Sequence, residues 1–259
     1  MIAWFESLPA ALAGLLIVGG FVVSTLLIGY LVERFTSHKL REAYNDRAGA
    51  ILSVIGVVYA VLLAFVAIGV WERYQEAETR TFSEASALAT VYRNADAFAQ
   101  GPHLRVMLRE YVTSIIEIEW PLMRQGAHPS FSSPLPEAVD KYVRSLPVTT
   151  RAQSDVYAQM LASMETALME RETRLTIGFN GINGLMWFVL IAGAYVTVGF
   201  TYLFGFERTI MQQLMIGGLS LTIGLVLFLA LALDYPYRGG IAVQPDAFHA
   251  LLESWNAGL

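Results

Sequence analysis

The sequence predicts an all-α integral membrane protein, with four transmembrane helices set two and two around a helical insert between the second and third. Three observations carry this reading. The chain is 55% hydrophobic and 15% charged, with a mean hydropathy of +0.50, whereas soluble domains carry about a quarter charged residues. Ile51 to Val70 runs for twenty residues without a Lys, Arg, His, Asp or Glu, enough for a helix to cross the roughly 30 Å hydrocarbon core of a bilayer. Three further stretches of comparable length are equally free of Lys, Arg, His, Asp and Glu.

Residues 1–71 read as a transmembrane hairpin with spans at about 8–32 and 48–71. The first span has only Ser24, Thr25 and Tyr30 as polar side chains. It lacks a basic head and exceeds a signal-peptide core in length, so a retained anchor is expected. The second span carries Gly56, Ala60 and Ala64 at intervals of four, a small-residue stripe that lets helix backbones approach closely. Phe65, Ile68 and Val70 are its candidates for an apolar pore constriction.

Residues 72–177 read as a helical extramembrane insert. In its first helix Tyr74, Ala77, Thr81, Glu84, Leu88, Val91, Ala95 and Phe98 alternate spacings of three and four, the pattern of a seam laid against a partner. Gly101-Pro102 ends that helix. A second helix shows Leu104, Leu108, Tyr111, Ile115 and Ile118 on one face and is expected to stop near Trp120-Pro121. A Gly/Ser/Pro-rich loop at 125–136 and a short helix at 137–145 follow. Thr150 with Gln153 forms a capping-box signature opening a long helix, with Val156, Met160, Met164, Leu168, Arg171 and Leu175 roughly on one face.

Residues 178–233 form the second hairpin, with spans at about 182–204 and 211–233 joined by a tight turn. Gly178, Gly181 and Gly184 are expected to let the third span cross closely over the second, while Asn180 and Asn183 suit helix capping or a pore mouth. Residues 234–259 read as an interfacial turn and a short amphipathic tail. Its Phe248, Leu251, Leu252 and Trp255 are available to lie on membrane or protein.

Glu84 is the sharpest polar residue, because a carboxylate on an apolar seam must find a donor. Arg171 or Arg174 on the returning helix is the expected partner; a carboxylate ring in an oligomer is the alternative. Cysteine is absent, which excludes disulfides and thiolate metal sites. Glu117 and Glu119, two apart, make a poor metal pair. No phosphate loop or nucleophile–base constellation is present, so neither enzyme activity, cofactor nor metal is expected. The net charge of −5, thinly spread, argues against nucleic acid.

Gly56-Val-Val-Tyr59-Ala60-Val-Leu-Leu-Ala-Phe65, then Trp71, Tyr74, Ala77, Glu84-Ala85 and Tyr92-Arg93-Asn94-Ala95, together with the closing Asp234-Tyr-Pro236-Tyr237-Arg-Gly239-Gly240, resemble the bacterial bestrophin-like family of membrane proteins grouped under a domain of unknown function. Tyr237 stands where that family's turn usually has Phe. A more distant resemblance to bestrophins implies a pentameric anion or cation channel whose pore follows the second span. It also implies a cytoplasmic insert. Basic residues are densest in 33–47, and under the positive-inside rule that places the short loops in the cytoplasm and the insert outside. The expectation is thus a homo-oligomeric ion channel in a bacterial inner membrane, the alternative being a non-conducting scaffold or sensor whose insert binds a partner or ligand.

Overall fold

The computed structural model describes residues 10–35, 45–127, 134–204 and 210–258. Of the expected loops at 33–47 and 125–136 and the turn at 205–210, residues 36–44, 128–133 and 205–209 fall outside the described residues. The described elements are α1 (Ala10–Phe35), α2 (Asn45–Asn94), a 3-10 turn (Ala95–Ala97), α3 (Gly101–Ser114), a π turn (Ile115–Glu119), α4 (Trp120–Arg124), α5 (Leu135–Arg144), α6 (Arg151–Phe179), α7 (Gly184–Thr201), α8 (Ile210–Asp234) and α9 (Asp246–Asn256). Four of them, α1, α2, α7 and α8, are long and apolar enough to cross a membrane.

The chain forms two compact units. The first holds 1–72, 182–234 and 239–241; the second holds 73–181, 235–238 and 242–259. The helix α2 contributes to both, since its fifty residues include no proline to break it.

In the first unit α8 lies along α1. A Cβ at Gly14 would stand 3.1 Å from the Phe228 ring, and one at Gly224 would stand 3.3 Å from Val18. Small residues therefore set this approach, and Thr25 donates to Ser220 across it at 3.0 Å. The α7 helix joins through Tyr195, whose hydroxyl meets Ser24 at 2.9 Å, and through Tyr202, which donates to the Thr25 carbonyl at 2.8 Å. Gly29 leaves room for the Tyr202 ring.

The second span meets the third at Gly193, where a Cβ would come within 2.6 Å of the Tyr59 ring, and Tyr59 donates to the Leu190 carbonyl. This corrects the expected role of the earlier glycines. Gly178 instead faces Tyr237 and Met123, Gly181 faces Tyr235, and nothing lies near Gly184.

The second unit is built on the α2 seam. Every seam residue from Ala77 to Phe98 is buried. As far as Val91 their spacing keeps them on one side of α2, which ends at Asn94 rather than at Gly101-Pro102; Ala95 and Phe98 follow in and after the 3-10 turn. The capping box opens α6, with Thr150 accepting from Gln153 N–H. The α9 tail buries Phe248, Leu251 and Trp255 in this core. Trp255 stacks on Tyr92 with ring centroids 4.1 Å apart, so the amphipathic face is covered by protein.

Pro121 does not end the second helix of the insert. A proline clashes with the carbonyl four residues back and cannot donate to it. Here the helix widens into the π turn just before it, closed by Trp120 N–H donating to the Ile115 carbonyl, and then continues through α4.

Candidate functional site

The α2 stretch from Ile51 to Glu72, within the first unit, presents three faces. Tyr59, Leu63 and Val70 are buried by their own chain. Val70 therefore cannot line an open path, which corrects its expected place in a constriction. Gly56 is half-buried and Ala60 and Ala64 are exposed, so this small-residue stripe is not what packs α2 inside its own chain. The third face carries Val54, Val58, Val61, Phe65 and Ile68, all exposed, with Phe65 at 71%.

The second unit gathers charge at its centre. Arg174, fully buried, donates from Nε to Glu84 at 2.7 Å and from Nη2 to Glu119 at 2.7 Å. A second Nη2 bond to Glu84, at 3.2 Å, makes that pair bidentate. Arg171 supports Glu119 from the other side at 2.6 Å. Trp120 and Phe248 place their rings within 5.1 and 5.8 Å of the Arg174 guanidinium. Together these contacts draw α2, the π turn, α6 and α9 onto one cation.

Burial opposes ionisation of Glu119, but Arg174 and Arg171 outweigh it and hold its carboxyl below the usual range. At Glu84 burial dominates and raises the carboxyl, with Arg174 offsetting only part. Burial opposes the Arg174 charge too, yet Glu84 and Glu119 raise its pKa. Tyr111, fully buried nearby, is pushed well up by burial and then by the Glu84 charge. Glu84 is thus a core ion-pair partner in the single chain, and its carboxylate is not presented to a lumen.

Sequence reasoning offered Arg171 or Arg174 as the partner of Glu84; Arg174 takes that place and Arg171 holds Glu119, whose part was not anticipated. The π turn rotates Glu119 inward, leaving Glu117 exposed, and a regular helical count does not reveal this. Among the described residues no group of three or more His, Cys, Asp and Glu could hold a metal ion.

The pore-mouth candidates have structural duties. Asn183 accepts from Leu185 N–H at 2.9 Å and caps α7. Asn180 ends α6, its N–H donating to the Thr176 carbonyl. In the first unit Asp234, nearly fully buried, accepts from Ile182 N–H at 2.6 Å and from Trp187 Nε1 at 3.2 Å. It thereby ties the end of α8 to the start of α7. In the second unit Tyr237 donates to the Ala77 carbonyl at 2.9 Å.

This fold is shared with crystal structures of a bacterial Bestrophin homolog from Klebsiella pneumoniae. One aligns with a TM-score of 0.67 at 14% identity, covering 91% of this chain and 98% of that one. Another variant aligns at 0.63 with 15% identity, covering 93% and 97%. The crystal structure of a membrane protein also aligns at 0.67 with 14% identity, covering 91% and 97%. None of the curated proteins matches. Residues 19–248 match the Bestrophin-like domain model, and with most of its length inside that match the chain belongs to the bestrophin-like family.

Proposed function

We propose that the chain assembles into an oligomeric bestrophin-like ion channel of the bacterial inner membrane, with α2 of each copy lining a shared conduction path. The observation that carries this reading is how little of α2 its own chain covers. Only 11% of its most apolar window is buried, against 22% to 33% for the other three spans. Four helices leave no room for a path within one chain, so a path requires copies around an axis. The exposed face Val54–Val58–Val61–Phe65–Ile68 suits a smooth apolar lining that gates by dewetting, and the Gly56–Ala60–Ala64 stripe suits the neighbouring copy. Five copies is the number implied by the resemblance to bestrophins.

The test is the detergent-corrected mass of the purified particle, followed by ion flux after reconstitution into liposomes. Several copies per particle and flux down an imposed salt gradient are expected. A particle of one or two copies, or no flux under any gradient, overturns the reading. One feature favours the second reading, a ligand- or partner-binding scaffold or sensor. A groove of about 360 Å³ lined by Ser83, Ser86, Thr90, Ser163 and Thr166 opens on the second unit. A particle of one or two copies would direct attention there.

The density of basic residues in 33–47 favours an extracytoplasmic second unit. Since the chain has no cysteine, Ser154→Cys on exposed α6 supplies a single label. It is expected to react with a membrane-impermeant maleimide in intact spheroplasts; labelling only after lysis would place the unit in the cytoplasm.

A further inference from the structure

We propose that Glu72 sets the charge preference of the conduction path, making it selective for small inorganic cations. This inference rests on the channel reading and adds to it the class of ion.

The argument starts from helical phase. Val54, Val58, Val61, Phe65 and Ile68 alternate spacings of four and three, and the next step of four is Glu72. Glu72 stands seven residues beyond Phe65, two turns and about 10 Å along the same side of the helix. It is therefore the first charge met on the face that the channel reading turns toward the axis. Over that whole face, from Val54 to Ile68, no other ionisable group precedes it.

Its carboxylate is also uncommitted. Glu72 is exposed, and among the described residues it has neither a hydrogen bond nor an ion pair. Its helical neighbours three and four residues away are Ile68, Gly69, Gln75 and Glu76, so no cation on this face neutralises it. Arg73 leaves the helix about 100° away. Glu76 differs, because Arg80 holds it at 3.1 Å.

Repeated around an axis, one free carboxylate per copy makes a ring of negative charge at the end of an uncharged apolar passage. Such a ring concentrates cations and repels anions. If the Val54–Ile68 face instead meets lipid, Glu72 is a surface carboxylate at the membrane boundary and has no effect on permeation.

The test is the reversal potential of the reconstituted full-length protein in asymmetric potassium chloride. Wild type is expected to favour potassium over chloride. Glu72→Gln is expected to lower the potassium-to-chloride permeability ratio by about tenfold, the low end of the counter-ion enrichment a one-signed lining gives. Glu72→Asp, which keeps the charge, is expected to retain the preference. Particle mass is measured for each variant, so that a loss of assembly is recognised. Chloride preference in the wild type overturns the inference and leaves the channel reading standing. The same holds for an unchanged ratio in Glu72→Gln, or for an equal loss in Glu72→Asp. A complete absence of conductance in the wild type overturns both.

Discussion

Arg174→Met is expected to destabilise the protein by about 3–5 kcal/mol, the usual cost of removing one partner from a buried ion pair. The side chain is fully buried and, among the described residues, the only hydrogen-bond partner of the Glu84 carboxylate. Methionine fills much of the volume between Trp120 and Phe248, so the loss reports charge and hydrogen bonding more than an empty cavity. Glu119 keeps Arg171, which leaves Glu84 as the orphaned group. Adding Glu84→Gln should therefore recover a substantial part of the loss, since a buried neutral amide costs far less than a buried carboxylate without its cation. Thermal unfolding of the purified protein in detergent checks both variants. For a chain of this size the single substitution corresponds to a midpoint lowered by on the order of 10 °C. A shift of only a degree or two would show that the cation is dispensable to the core.

The second large effect is expected from Ala60→Leu combined with Ala64→Leu. Both alanines are exposed on the single chain, so the substitutions add bulk without disturbing the Tyr59–Gly193 contact on another side of α2. If the stripe faces a neighbouring copy, two leucines one turn apart push the helices away from the close approach that small residues permit. The particle mass should then fall toward that of one chain, and ion flux should disappear with it. An unchanged mass would mean that the stripe faces lipid. The double variant should keep the helical content of the wild type by circular dichroism, which separates a lost interface from a damaged fold.

What could be read from the sequence was whatever depends on local period. The α2 seam from Ala77 to Val91 was legible because its spacing repeats within one helix, and the Thr150–Gln153 box because capping is a matter of four residues. The four spans were legible from length and the absence of charge. Features that depend on which partner arrives were not. Val70 looked continuous with Phe65 and Ile68 in sequence, yet five residues of helix carry it from Phe65 to the face its own chain covers. Glycines at 178, 181 and 184 were visible as a pattern, but the use of the first two was set by Tyr237 and Tyr235, brought back from the far end of the chain, and Gly184 meets nothing. Gly193, which makes the actual contact with Tyr59, has no pattern around it. The role of Asp234 required knowing that α7 begins beside it.

The π turn at Ile115–Glu119 has a consequence for how the family's sequences align. It acts as one surplus residue absorbed into a helix, so everything after it is rotated by about 100° relative to an uninterrupted count. A relative lacking that residue would run a regular helix through the same place and keep its overall length nearly unchanged. Its counterpart of Glu119 would then turn away from Arg174 and its counterpart of Trp120 would leave the core. Gaps placed in this segment by sequence comparison are therefore statements about helix phase, and an alignment shifted here by one position would pair a core carboxylate with a surface one.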